Sequence, residues 1–99
     1  MEVEGSYLVA RTLKEEEVEH LFFLMGGPNY EIINNAVDLG IKATDFRHEQ
    51  AASMAAHGYA RVTGKPGVTT AASGPGTLNL LTGQYTAWAD CAPMITLGG

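Results

Sequence analysis

Basic residues are scarce: six Lys and Arg face eleven Asp and Glu, the formal net charge is −5, and the six are scattered along the chain. A nucleic-acid surface needs such residues clustered, so no nucleic-acid partner is expected. Cysteine is almost missing. The lone Cys91 cannot close an internal disulfide, and no charged-then-apolar leader with a small-residue cleavage site precedes the first helical pattern. A reducing, cytoplasmic location is therefore expected. Long apolar runs are also lacking. The longest, Leu21 to Met25, falls far short of the ~20 residues that a membrane-spanning helix requires, so a soluble chain with no membrane association is expected. Gly64-Lys65-Pro66 is not the Gly-Lys-Ser/Thr end of a phosphate loop, and His20, His48 and His57 show no close metal-ligand spacing, so no metal site is expected here.

What remains suits one globular domain over residues 1–99, with 45% of residues hydrophobic and 17% charged. Strand and helix patterns alternate. Ser6 can cap a first helix with Leu8, Val9, Ala10 and Leu13 on one stripe, although Thr12 with Glu15 offers a second start. Leu21–Met25 then reads as a strand buried on both faces, and Tyr30–Leu39 as a helix closed by Gly40. Strands follow at Ile41–Phe46, Val68–Ala72 and Met94–Leu97, separated by helices at Glu49–Thr63 and Thr77–Trp88. This alternation predicts right-handed βαβ units and an open parallel sheet with helices on both faces. The chain stops at a glycine pair after an interior-type strand with no helix to cover it, which suggests that the fold is incomplete.

Ligands bind such sheets beyond the carboxyl ends of the strands, where loops diverge and helix N-termini offer free N–H groups. Three corners fall there: Met25-Gly26-Gly27-Pro28, Phe46-Arg47-His48-Glu49-Gln50 and Ser73-Gly74-Pro75-Gly76. Glycines allow backbone to approach a ligand, Pro75 stiffens its turn, and Thr77 could cap the following helix. Each alone also reads as an ordinary turn residue. An acid in the first turn, such as Glu49, is favoured by the helix dipole whatever the protein does. Gly74 and Gly76 are two glycines of a dinucleotide fingerprint without the third, which makes a flavodoxin-like or dinucleotide-binding domain the weaker reading. The small residues Ala51, Ala52, Ala55, Ala56, Gly58 and Ala60 form a helix face suited either to another subunit or domain or to the chain's own sheet.

Four ordered motifs carry a resemblance across nearly the whole chain. They are Arg47-His48-Glu49-Gln50-Ala51-Ala52, the stretch from Ala55 to Val68, Ser73-Gly74-Pro75-Gly76-Thr77-Leu78-Asn79, and Asp90-Cys91-Ala92-Pro93. Together they resemble the N-terminal, flavodoxin-like pyrimidine-binding domain of thiamine diphosphate-dependent enzymes of the acetolactate synthase type, whose relatives include oxalyl-CoA decarboxylases, 2-hydroxyacyl-CoA lyases and pyruvate oxidases. The resemblance implies that Glu49 contacts N1′ of the cofactor's aminopyrimidine and shares a proton with it, activating the thiazolium carbon. For that, the carboxyl has to hold a proton near neutral pH, which desolvation favours and a helix N-terminus opposes. It also implies that Gly26 and Gly27 lie near the pyrimidine and that Ser73, Gly74, Pro75 and Gly76 shape the same pocket.

By the same resemblance the substrate is a 2-keto acid or an acyl-CoA compound, and the cofactor is the electron sink for C–C cleavage or formation. The diphosphate and its Mg²⁺ are held by a C-terminal domain with a Gly-Asp-Gly motif, which does not occur here. That domain belongs to the same or a partner chain, because the active site forms between two subunits of a homo-oligomer, and the 99 residues alone are expected to be inactive. Two positions depart from the family pattern. Leu24-Met25 precede the glycine pair where Tyr-Pro is common, and Glu17 stands where glycine is usual. The alternative is a non-catalytic, truncated α/β binding or interaction module.

Overall fold

Strands and helices alternate through residues 2–99, the part of the chain that the computed structural model describes. In chain order these are α1 (Gly5–Glu15), β1 (His20–Phe23), a 3-10 turn (Gly27–Asn29), α2 (Tyr30–Asp38), β2 (Lys42–Asp45), α3 (Glu49–Thr63), β3 (Gly67–Thr70), α4 (Pro75–Asn79), α5 (Leu81–Ala89) and β4 (Met94–Leu97). The four strands form one parallel sheet in the order β2-β1-β3-β4. Leu21 and Phe23 point to one face and pack with Ala10 and Leu13 of α1 and Ile33 and Ala36 of α2. Phe22 points to the other, against Ala52 and Ala56 of α3. Alternate side chains of one strand thus feed two apolar layers, as a sheet covered on both faces demands.

The small-residue face of α3 is largely used inside the domain. Ala52, Ala56 and Ala60 are buried, while Ala51 and Gly58 are exposed. Gly67 of β3 lies on the backbone of Ala56, and Gly83 of α5 lies on Ser53, so α3 is held on one side by the sheet and on the other by a helix. His57 is buried on this helix, with Nε2 3.2 Å from Asp90 Oδ2, the same oxygen that accepts from Arg61 Nη1 at 2.8 Å. The group ties α3 to the turn after α5. His20 stacks on Phe22 with ring centroids 5.2 Å apart.

Three helices end in one way. After α1, Glu17 N–H donates to Lys14 O and Val18 N–H to Leu13 O. After α2, Gly40 and Ile41 make the same pair of bonds to Val37 and Ala36, and after α5, Cys91 and Ala92 make them to Trp88 and Ala87. This double closure places the middle residue in left-handed backbone. Gly40 tolerates that at φ 91°, but Glu17 and Cys91 adopt φ 63° and 55° with side chains attached. A glycine at position 17 would meet this turn without that strain. Glu17→Gly is expected to stabilise the protein by about 0.5–1 kcal/mol, the relief of left-handed strain exceeding the added freedom of the unfolded chain. Urea unfolding checks it, and a loss of stability would show that the Glu17 side chain contributes more than its backbone costs.

Some sequence expectations are corrected. Helix α1 starts at Gly5 with Glu4 in the capping position and no side-chain cap. Ser6 lies inside it, donating to Glu31 Oε2 at 3.4 Å and accepting from Asn35 Nδ2 at 3.2 Å. Thr12 also lies inside, its hydroxyl donating to Leu8 O. Ala10 and Leu13 are buried as the stripe predicts, but Leu8 is exposed. The single helix expected over Thr77–Trp88 is two helices joined at Leu80. Leu80 N–H donates to Thr77 O, a tightened step, and the Leu80 side chain is fully buried, so tertiary burial overrides a continuous helix at this residue.

Candidate functional site

Helix α2, which follows β1, lies on one face of the sheet, and α5, which follows β3, packs beside α3 on the other, so the connections leaving β1 and β3 run to opposite faces. The place for a ligand crevice is therefore between β1 and β3 at their carboxyl ends, where open parallel sheets bind ligands. The ends are level: Phe23 is in register with Asp45 and Thr70, and Thr70 with Leu97. All three glycine or acidic corners singled out in the sequence start from this edge.

The loop after β1 touches the loop after β3. A Cβ at Gly26 would lie 3.2 Å from Ala72 Cα and closer still to its Cβ, so only glycine permits this approach. A hydrogen-bond chain locks the contact. Gly26 N–H donates to Asn29 Oδ1 at 2.8 Å, Asn29 Nδ2 donates to Leu24 O at 3.3 Å and to Thr70 Oγ1 at 3.4 Å, and Thr70 Oγ1 donates to Leu97 O at 2.9 Å. Asn29 and Thr70 are buried, and this network satisfies their polar groups while joining the ends of β1, β3 and β4. Gly27 has nothing within 4 Å of its would-be Cβ and stands open.

The turn after β3 needs Gly74 at φ 68°, and Pro75 then starts α4, where its missing N–H costs nothing. Thr77 does not cap this helix. It lies within α4, and its hydroxyl donates to Ala72 O at 2.8 Å, closing the Ser73–Gly76 turn, and accepts from Gly99 N–H at 3.2 Å. Gly99 packs beside Pro28 and the Ser73 backbone, so the segment after β4 also reaches the crevice.

Glu49 is the first residue of α3 and is half-buried. The extended residue before it, His48, caps the helix by accepting from Gln50 N–H through Nδ1 at 3.0 Å, which leaves the Glu49 carboxyl free of that duty. Asn79 Nδ2 donates to Glu49 Oε1 at 3.1 Å. On the other oxygen, a Cβ at Gly76 would sit 3.4 Å from Oε2 and 3.4 Å from Ala72 Cβ. Gly26 and Gly76 thus both meet Ala72, and Gly76 meets Glu49, so the Ser73–Gly76 turn bridges the β1 corner and the acid. No hydrogen bond joins Gly26 or Gly27 to Glu49 itself among those of the described residues. Asn29, Thr70 and Asn79 are members of this edge that the sequence patterns did not single out by role. Asn29 sits directly after a Gly-Gly-Pro turn, a common place for a side chain that bonds local backbone. Asn79 closes the Ser73–Asn79 motif but gives no sign of its partner.

The family model described as "Thiamine pyrophosphate enzyme, N-terminal TPP binding domain" matches residues 3–99. The chain belongs to this family. As a thiamine pyrophosphate-binding domain it is 42% identical over 98 residues to 2-hydroxyacyl-CoA lyase 1 of Mus musculus, covering 99% of this chain and 17% of that protein. It is 45% identical over 101 residues to an acetolactate synthase of Arthrospira platensis, covering 98% and 17% respectively. With a probable acetolactate synthase large subunit of Methanococcus aeolicus it shares 46% identity over 98 residues, 96% of this chain and 16% of that one. The chain thus spans about a sixth of the length of these relatives, and lyases and synthases resemble it to a similar degree.

A flat ring of the cofactor could be met here by the Glu49 carboxyl and the glycine corners of this thiamine pyrophosphate-binding domain. A carboxyl is anchored through one oxygen, and the flank of its other oxygen is kept open by a glycine. Among the described residues there is no group of three or more His, Cys, Asp and Glu that could hold a metal ion. Nor is any helix of the described residues long and apolar enough to cross a membrane. A depression of about 780 Å³ lies away from the acid, along α1, lined by Tyr7, Leu8, Arg11 and Asn35 among others. It contains none of the candidate site residues.

Proposed function

We propose that this chain is the pyrimidine-binding part of a thiamine diphosphate-dependent enzyme that forms or cleaves a C–C bond beside a carbonyl, in a 2-keto acid or a 2-hydroxyacyl-CoA. The observation that carries the reading is Glu49 at the mouth of the β1/β3 crevice, held through Oε1 and open at Oε2. In this reading Glu49 holds and exchanges a proton with the pyrimidine ring nitrogen. The Gly26–Gly27 corner gives the ring a backbone surface from the β1 side, and the Ser73–Gly76 turn does so from the β3 side. Thiamine diphosphate, when bound, supplies the electron sink for the carbanion left at the substrate carbon. Its diphosphate and Mg²⁺ are assigned to another domain, of the same or a partner subunit in a homo-oligomer.

The test is turnover by the full-length protein with and without thiamine diphosphate, on a 2-keto acid and on a 2-hydroxyacyl-CoA. Cofactor-dependent turnover of one of the two is the expected result and decides between carboligase and lyase. No turnover of either, together with no saturable binding of the cofactor, would favour the non-catalytic binding module.

A further inference from the structure

Position in the chain alone does not say which carboxyl oxygen of Glu49 faces the ligand, because its side chain has three torsions and the helix start restrains only the backbone. The structure supplies the missing restraint from thirty residues further along the chain, where the amide of Asn79 donates to Oε1. We propose that Asn79 is the positioning residue for Glu49: its amide fixes Oε1 as the anchored oxygen and leaves Oε2, on the Gly76 side, to exchange the proton. The inference rests on the function proposed above and adds a residue and an oxygen assignment to it.

An amide N–H donates to a lone pair, so the oxygen it holds is kept as an acceptor in both protonation states and the mobile proton belongs to the other. Bonds of this kind to a carboxylate are stronger and more directional than neutral ones. The mounting of Asn79 is stiff. Thr77 pins the start of α4 to Ala72 O, Leu80 directly after Asn79 is fully buried, and α4 packs against α3. Gly76 lies on the Oε2 side, where a methyl group would cover part of that oxygen's surface. Two residues of one short helix therefore treat the two oxygens differently, one by donating and one by staying out of the way.

The experiment compares Asn79→Leu, which keeps the size and removes the donor, with Asn79→Gln, which keeps an amide donor. Both are made in the full-length protein beside a Glu49→Gln control. Exchange of the cofactor's C2 hydrogen for deuterium is followed by NMR, and cofactor-free crystals give the position of the Glu49 carboxyl. Asn79→Leu is expected to slow exchange about tenfold and to release the carboxyl from its present rotamer, with Asn79→Gln recovering most of the rate. Asn79 is exposed, so both variants are expected to fold with unchanged melting temperature. If Glu49→Gln stops exchange while Asn79→Leu leaves both rate and carboxyl position unchanged, or if Leu and Gln behave alike, Asn79 has no positioning role and the proposed function still stands. If Glu49→Gln leaves exchange at the wild-type rate, the parent reading fails and this one with it.

Discussion

Replacing Gly67 by alanine is expected to destabilise the fold by about 3 kcal/mol, at the upper end of what overpacking a core costs. The new Cβ would lie 2.7 Å from the carbonyl carbon of Ala56 and 3.2 Å from its Cα, and nearer still to the carbonyl oxygen. These are backbone atoms in the middle of α3, so no side chain can rotate away. Helix α3 would have to lift from β3, but Gly83 of α5 prevents it from sliding on the far side. A Cβ there would lie 2.5 Å from Ser53 Cβ and 2.7 Å from its carbonyl carbon. Urea unfolding with an unchanged m-value measures the loss. A cost below about 1 kcal/mol would mean that α3 can move off the sheet cheaply, and the placement of Glu49 by that packing would then be in error.

Glu49→Gln is expected to slow exchange of the C2 hydrogen of bound thiamine diphosphate by about a hundred- to ten-thousand-fold, the usual contribution of a positioned acid or base. The substitution keeps shape and keeps an oxygen able to accept from Asn79, but the amide has no acidic proton to share. Stability should change little. His48, not Glu49, caps α3, so only the dipole term of about 0.3–1 kcal/mol is lost. Slow exchange with an unfolding midpoint near that of the wild type therefore marks a chemical role. Wild-type exchange, or equal loss of exchange and fold, would remove Glu49 from the chemistry.

Helix α3 was legible to the residue at both ends, Glu49–Thr63, because local chemistry marks them: an acid in the first turn and Gly64 at φ 73° after the last. Strand β4 at Met94–Leu97 was equally plain. The strands β1, β2 and β3 are real but shifted or shortened, since apolar character continues past the point where pairing stops. Leu80 was misread because its apolar side chain fits a continuing helix as well as a break, and only its burial separates the two. The turns at Glu17 and Cys91 carry none of the glycine signal that revealed Gly40. At the site, residue type and corner position pointed to Glu49, Gly26 and the Ser73–Gly76 turn. The Asn29–Thr70 bond and the Asn79–Glu49 bond join distant segments, and no local periodicity encodes a pairing of that kind.

The strand order also governs how the polypeptide can be assembled as it is made. Leu21 pairs with Val68, yet β2 and the whole of α3 are synthesised between them. While the nascent chain leaves the ribosome, β1 can pair with β2 on one edge, but its other edge stays open, and the side of Phe22 that α3 later covers stays wet. Chaperones and neighbouring nascent chains compete for such an unpaired apolar edge. The crossover that opens a crevice in the finished domain thus keeps Leu21–Phe23 waiting for its second partner until β3 has been made.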